Sequence, residues 1–166
     1  MRIGSLLLLI LMVLPLTAPA AAQVPQDPEL VTKRLLVRGM TRAFLGDHAA
    51  AAELYQQALR LRPDDATIHA ALAQSYSDLG DAVQAMFYAE RALALAPARP
   101  ENLAVVAELR QASGDGVGSL EAYDRLVQIR PGDAATHVAR ARLLHSLEQR
   151  ASAVEAYRTA ARLAPD

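Results

Sequence analysis

The sequence predicts an all-α protein, an α-solenoid of stacked helix–turn–helix units. Four prolines spaced 34 residues apart are the first observation: Pro63, Pro97, Pro131 and Pro165. Two columns of small residues keep the same period: Gly39, Ala73, Ala107 and Ala141, then Ala51, Ala85, Ser119 and Ala153. A fixed period of this length is typical of stacked helical repeats, in which each unit buries its apolar face against its neighbours.

Each period is expected to hold two helices joined by a tight turn. Small residues in register allow two antiparallel helices to cross closely, and the turn between them reads Gly46-Asp47, Gly80-Asp81 and Gly114-Asp115. Glycine can adopt a left-handed conformation after a helix, and aspartate can cap the next one. Proline then ends the second helix, because the residue before a proline is pushed out of the α region.

The third and fourth turns depart from this pattern. The third carries Gly114, Gly116 and Gly118, and a glycine inside a helix costs about 1 kcal/mol relative to alanine. We therefore expect the third turn to be the softest point of the array. The fourth turn replaces glycine and aspartate with Glu148-Gln149.

The two end units also depart at one core position. Leu72 and Val106 occupy it in the middle units, whereas Arg38 and Arg140 occupy it in the first and fourth. We expect the end units to pack less well there or to turn these arginine stems toward solvent.

The second unit carries the fullest repeat pattern: Leu72, Ala73, Tyr76, Gly80, Ala85, Ala92 and Pro97. The first unit carries Gly39, Ala51, Tyr55, Ala58 and Pro63. On these residues the chain resembles the tetratricopeptide repeat (TPR) family over roughly residues 32–166. The resemblance implies four TPR units in a right-handed superhelix, at 32–65, 66–99, 100–133 and 134–166, with a concave groove lined mainly by the first helices.

Residues 1–22 have the pattern of a signal peptide. Arg2 precedes an apolar run over 6–14, and three alanines at 20–22 offer a cleavage site. The alternative, an uncleaved membrane anchor, conflicts with a core much shorter than the roughly 20 apolar residues that span a bilayer. Residues 23–31 would then form a linker and the start of the first helix, with Asp27-Pro28 as its cap and first-turn proline.

This pattern predicts an exported protein. A bacterial periplasm is the expected location, with secretion or anchoring by an uncleaved N-terminal segment as alternatives. The chain has no cysteine, so it must be stable without disulfides and cannot carry a lipid on an N-terminal cysteine. We expect no stable membrane insertion after signal cleavage.

The charge balance gives no electrostatic case for binding nucleic acid or an anionic membrane surface. The whole chain has 17 basic and 18 acidic residues, and removal of Arg2 with the signal peptide leaves a net charge of about −2.

Catalytic chemistry has no residues to support it. His69 and His137 share one repeat position two units apart, too far to share a metal, and His145 lies about 12 Å along the helix from His137. We expect these histidines to pack or to be partly exposed rather than to bind metal. The glycine-rich stretch 113–119 follows a predicted helix rather than a strand and lacks a Walker lysine. No nucleophile motif is present, so neither enzyme activity nor a cofactor is expected.

The resemblance assigns groove positions on the outward face of each first helix. They are Lys33, Leu36 and Met40, then Ala70, Gln74, Ser77 and Asp78, then Glu101, Ala104, Glu108 and Gln111, then Val138, Arg142 and His145. This groove would be apolar at one end, acidic in the middle and basic at the other end, and would suit a peptide or helix of complementary charge order. The other interpretation is an ordinary solvated helix face.

Some TPR proteins hold the C-terminal carboxylate of a chaperone with lysine and asparagine side chains. The corresponding positions here are Leu36, Met40, Ala71, Glu101 and Val105. The resemblance therefore does not extend to that clamp, and a chaperone-tail adaptor is not expected.

Three functional hypotheses follow. The first is a non-catalytic scaffold of the cell envelope that binds a protein or peptide in the groove. The second is a structural module that forms a homo-oligomer through the last helix of the fourth unit, with Tyr157, Ala161 and Leu163 in the contact. The third is an accessory domain of an enzyme complex, since a fold alone does not fix function.

Overall fold

The computed structural model describes residues 27–164. Over that range the chain forms eight α-helices and no β-strand. The helices are α1 Pro28–Phe44, α2 His48–Leu61, α3 Ala66–Asp78, α4 Ala82–Leu95, α5 Pro100–Ala112, α6 Gly116–Ile129, α7 Ala134–Ser146 and α8 Arg150–Leu163. The predicted signal peptide, residues 1–22, lies outside the described residues, as do Pro165 and Asp166.

The helices stack in chain order. Each odd-numbered helix packs against the even-numbered helix that follows it, and that helix packs in turn against the first helix of the next pair. The first helices of neighbouring pairs also touch, as α3 does with α5. Contacts restricted to near neighbours in sequence are those of a solenoid, so the predicted all-α solenoid is confirmed.

The first three turns have the conformation that their Gly-Asp sequences predict. Gly46, Gly80 and Gly114 have φ values of 79°, 77° and 85°. The following aspartates each accept a hydrogen bond from a backbone N–H three residues later, over 2.8–3.2 Å: Asp47 from Ala50, Asp81 from Gln84 and Asp115 from Gly118. Glycine therefore stands where a left-handed backbone is needed.

The fourth turn is the strained one. Glu148 has a φ of 60°, a conformation that costs roughly 1–2 kcal/mol for a residue with a Cβ. Gln149, at the N-cap of α8, makes no side-chain capping bond.

The third turn has regular geometry, and its predicted softness stays a prediction. Helix α6 starts at Gly116 and spans 14 residues, the same length as α2 and α4. Its N-cap is intact, and a Cβ on Gly118 would collide with the Asp115 carboxylate. The same cap forms in the first two turns, where Ala50 and Gln84 occupy the position of Gly118.

The second helices end before the prolines. Each residue preceding a proline leaves the helical region, with φ values of −139° at Arg62, −140° at Ala96, −126° at Arg130 and −131° at Ala164. This agrees with the effect expected of the proline ring.

The small-residue columns form the inside of the stack. Ala73, Ala107 and Ala141 are fully buried, and so are Ala51 and Ala85. Ser119, which replaces alanine in the second column, is also buried, and its Oγ donates to the carbonyl of Ala107 over 2.8 Å. The hydroxyl is therefore satisfied across the helix pair.

The tyrosine column packs as expected in two places and differently in a third. Tyr55 is 3% exposed and Tyr123 5%, whereas Tyr157 is 41% exposed. Tyr157 lies on α8, over which no further helix packs within residues 27–164. Its predicted role as a packing aromatic is therefore only partly met.

Arg38 and Arg140, the arginines of the end units, turn away from the core, which was one of the two arrangements expected from the sequence. Arg38 is exposed. Arg140 is half-buried, and its Nε donates to the Asp124 carboxylate over 2.5 Å.

Side chains from the first helices tie the units together at the loops between them. His69 Nε2 lies 2.9 Å from the carbonyl oxygen of Pro63, and His137 Nε2 lies 2.9 Å from that of Pro131. At the joint between them, Leu103 replaces the histidine. Asn102 takes over, since its Nδ2 donates to the carbonyls of Ala92 (2.8 Å) and Ala96 (3.3 Å). Both histidines are buried packing residues.

Candidate partner-binding groove

Most of the predicted groove residues are exposed on the first helices. The ten exposed side chains are Lys33 and Met40 on α1, Gln74, Ser77 and Asp78 on α3, Glu101, Glu108 and Gln111 on α5, and Arg142 and His145 on α7. Between them lie side chains that are half-buried: Leu36, Ala70, Ala104 and Val138. Polar side chains beside a half-buried apolar floor are suited to a surface that binds another chain.

One cavity, of about 500 Å³, brings three of the predicted residues together: Met40, Ala70 and Glu101. It opens between α1, α3 and α5, and its walls are mostly apolar. The lining residues are Met40, Thr67, Ala70, Ala71, Arg99, Glu101 and Asn102. Alanines at two successive positions of α3 leave this space open.

Arg99 is a groove residue that the sequence reasoning missed. It occupies the N-cap of α5 and makes no capping bond, whereas Asp27, Asp65 and Asp133 cap the other first helices. Its Nη1 donates instead to Oγ1 of Thr67 on α3, over 2.9 Å. An arginine at the one uncapped first helix was the available signal, because aspartate or serine is strongly preferred there.

The negative charge of Glu101 lies beside positively charged arginine side chains. Its carboxylate forms an ion pair with Arg130, from the loop after α6. The carboxylate of Glu101 accepts a hydrogen bond from its own backbone N–H and another from Arg130. Both bonds lower the pKa of Glu101 below its ordinary value, and the nearby charge of Arg99 adds to this. Two guanidinium groups thus accompany one carboxylate at this cavity.

Asp78 is also engaged within the chain. Gln74 Nε2 donates to its Oδ1 over 3.1 Å, and Nδ1 of His48 lies 3.3 Å from its Oδ2. His48 begins α2, so Asp78 lies beside the α1–α2 turn.

The expected acidic middle of the groove is therefore wrong in part. Asp78 and Glu101 both face cationic or polar partners within the chain. Glu108 is the exposed acidic groove residue for which residues 27–164 provide no ion pair. Burial is the main cause that raises the pKa of Tyr123, and the negative charge of Glu108 raises it further.

The apolar end of the groove contains more exposed apolar side chains than the sequence analysis predicted. Leu30, Val37 and Phe44 lie seven residues apart on α1 and are 46%, 63% and 90% exposed. We call these three residues the α1 ridge. Met40, 63% exposed, lies between the ridge and the cavity. The seven-residue spacing was a signal available in the sequence.

The described residues offer no assembled metal site, since no group of three histidine, cysteine, aspartate or glutamate side chains is placed to hold an ion. Among the same residues, no helix has the length and apolar character needed to cross a bilayer.

Two sequence profiles match the chain. The one described as TPR repeat matches residues 44–80, and the one described as tetratricopeptide repeat matches residues 66–99 and 134–166. Together they cover more than half of the 166 residues. Among curated proteins, none matches the chain significantly.

Solved structures with the same fold include three informative neighbours. A crystal structure of MamA superposes with a TM-score of 0.76 and 21% identity, covering 82% of this chain and 80% of that one. YrrB, described as a TPR protein with an unusual peptide-binding site, gives 0.73 and 18%, covering 81% and 70%. The first TPR of Spaghetti (RPAP3), bound to the HSP90 peptide SRMEEVD, gives 0.69 and 16%, covering 74% and 96%.

At these identities the structural neighbours establish the fold, and the profile matches establish the family. The repeated turn, the buried small-residue columns and the proline-terminated helices agree with both. The chain belongs to the tetratricopeptide repeat family.

Proposed function

We propose that this chain is a non-catalytic scaffold that binds a protein or peptide partner along the first helices of its repeats. The observation that carries the proposal is the apolar cavity between α1, α3 and α5, rimmed by Arg99 and Glu101. Apolar walls with a few polar groups are typical of a surface that fixes a partner's side chain and its orientation. YrrB and RPAP3, which share the fold, are described with a peptide-binding site and with a bound peptide.

The proposal includes a location in the cell envelope. Its support is the signal-peptide pattern of residues 1–22. Expression of the full-length chain followed by fractionation and N-terminal sequencing tests it. A mature N-terminus at Gln23 in the periplasmic fraction is the expected result, and an intact Met1 in the cytosol would contradict it.

The groove is tested by affinity capture with the full-length chain and matched variants. Met40→Asp and Glu108→Lys alter exposed groove residues that no ion pair holds within residues 27–164. Val83→Asp and Glu121→Lys are the controls, because they likewise turn an apolar side chain into aspartate and a glutamate into lysine at exposed positions of α4 and α6. Asp78 is avoided, since its reversal would also disturb His48.

A partner retained by the unmodified chain and by both controls, and lost by both groove variants, is the expected outcome. Loss with all four variants, or with none, would remove the groove assignment. Circular dichroism of each variant checks that the helices remain.

Self-association through α8 is a second candidate, favoured by one observation. Tyr157 and Leu163 are 41% and 40% exposed on the last helix, whereas Tyr55 at the equivalent position of α2 is 3% exposed. Sedimentation velocity of the full-length chain tests it. A dimer that Tyr157→Glu dissociates would support this candidate, and a monomer at high concentration would remove it.

A further inference from the structure

The α1 ridge has the spacing of a helix–helix seam. Leu30, Val37 and Phe44 follow one another at intervals of seven residues and point away from the buried face of α1, which carries Thr32, Leu35 and Gly39. The ridge is about 21 Å long at the α-helical rise. A repeat of seven keeps side chains on one line against a facing helix, so a partner helix of four turns could follow the whole ridge.

Basic side chains flank this ridge. Lys33, Arg34 and Arg38 lie beside Val37, and together these four residues line a shallow cavity of about 380 Å³. Lys33 is paired with Glu29 over 2.7 Å. For Arg34 and Arg38, residues 27–164 provide no ion pair. The surface is therefore positive locally although the chain as a whole is slightly acidic, and it complements a partner with acidic flanks.

Met40 connects the ridge to the cavity between α1, α3 and α5. In that cavity Ala70 and Ala71 leave room for an apolar side chain, and Arg99 stands at the rim. Arg99 is engaged through Nη1 with Thr67, which leaves its other donors for an anion. The same combination of apolar contact and positive charge thus continues from the ridge into the cavity.

The exposed apolar surface of α1 is limited in width, which favours a partner helix over a membrane surface as its occupant. One side of α1 is buried against α2, and Thr41 and the basic residues border the ridge directly. A helix that lies in a bilayer interface presents a broad apolar face. The α1 ridge has exposed Met40 and Leu45 beside it but is bordered by Arg34 and Arg38, and it therefore suits the apolar face of a single second helix.

We propose that the α1 ridge and the adjoining cavity bind one acidic amphipathic helix of a protein partner, through its apolar face and its flanking carboxylates. This inference rests on the proposed function and specifies its partner. The first helix is then the main anchor of the groove, with the later repeats contacting the partner's extension.

Fluorescence anisotropy with designed probes and the full-length chain tests this inference. The acidic probe is a terminally blocked 18-residue peptide with leucine at heptad positions a and d and glutamate or alanine elsewhere. One control probe carries lysine in place of every glutamate, and a second has the acidic composition scrambled so that the leucines share no face. We expect saturable binding of the acidic probe, about tenfold or more tighter than either control probe.

Two pairs of substitutions assign the binding to the ridge. Val37→Ser with Phe44→Ser should weaken the acidic probe at least about tenfold, since two apolar contacts are lost. The matched control, Val83→Ser with Phe87→Ser, removes another exposed valine and phenylalanine, from α4, and should leave binding unchanged. Arg34→Gln with Arg38→Gln should weaken the acidic probe and reduce the salt dependence of its binding.

Several results would overturn the inference: equal binding of acidic and basic probes, insensitivity to the ridge substitutions, or displacement of the acidic probe by phosphatidylglycerol vesicles, which would assign the ridge to a membrane. If the groove variants Met40→Asp and Glu108→Lys still abolish partner capture in that case, the scaffold function stands and only the acidic helix is wrong.

Discussion

The backbone of Gly39 on α1 lies directly against the ring of Tyr55 on α2. A Cβ added at Gly39 would overlap Cε1 of the ring and would lie 2.8 Å from Cδ1 and 2.9 Å from Cζ. Tyr55 is 3% exposed, so its ring has little room to move away. The ring of Tyr55 therefore occupies the space that a methyl group at Gly39 would need.

Gly39→Ala is expected to destabilise the protein. Overpacking against a buried ring costs about 1–3 kcal/mol, and the better helix propensity of alanine returns about 1 kcal/mol. We expect a net loss of about 1 kcal/mol in the free energy of unfolding, measured by urea denaturation. Combining Gly39→Ala with Tyr55→Leu should cost less than the sum of the single changes, and strict additivity would contradict the contact.

The fourth turn can be repaired with the sequence of the third. Glu148→Gly removes a left-handed backbone strain of roughly 1–2 kcal/mol, and Gln149→Asp restores a cap for α8 that is worth about 1 kcal/mol. The double variant should raise the midpoint of thermal unfolding. As the mirror control, Gly114→Glu with Asp115→Gln should lower it, and a stabilising effect of that control would show that turn chemistry is not the cause.

The buried tyrosines predict a loss of stability at high pH. Burial raises the pKa of Tyr55 and Tyr123, and it also raises that of Tyr88 together with the effect of Tyr76. The folded state therefore holds the phenol protons at pH values where the unfolded chain releases them. This contribution is fully present below the unfolded pKa, about 10, and is lost as the pH rises through the folded values.

Tyr123→Phe isolates one of these groups. The variant removes one titrating phenol, so its thermal midpoint should fall less steeply than that of the unmodified protein between about pH 9 and 11. Differential scanning calorimetry at fixed ionic strength measures both slopes. Identical slopes would show that Tyr123 titrates alike in the folded and unfolded chains.

Asn102 holds the joint between the second and third pairs. Its substitution by alanine leaves the carbonyls of Ala92 and Ala96 without their side-chain donor and should cost about 1–3 kcal/mol. Gln111→Ala, at an exposed position of the same helix, should change stability by less than about 0.5 kcal/mol. Equal effects of the two substitutions in chemical denaturation would contradict a structural role for the amide.

The sequence predicted those parts of the fold that depend on local chemistry. Gly46, Gly80 and Gly114 set the turns, and each proline stops the helix before it; both effects act within a few residues. The burial of Ala73 and Ala107 also followed, because the period places them alike in every unit.

The groove was less predictable, because its electrostatics depend on residues distant in sequence. Asp78 meets His48, Glu101 meets Arg130, and Arg99 reaches Thr67, a residue 32 positions earlier. None of these pairs shares a helix, so a helical periodicity carries no information about them. The strain at Glu148 had a signal in the sequence, because the 34-residue period places this residue in the column of Gly46, Gly80 and Gly114.

The ties between units also bear on the shape of the binding surface. His69, Asn102 and His137 each fix the first turn of a helix to the loop behind it. These hydrogen bonds and the packing between the helices together set the angle between neighbouring helix pairs. A small rotation at one such pivot displaces every later groove residue, so Arg142 and His145 move the most relative to the α1 ridge. Single substitutions at His69, Asn102 or His137 would alter the pitch of the solenoid. They would thereby change the distance that a partner must span to contact both ends of the groove.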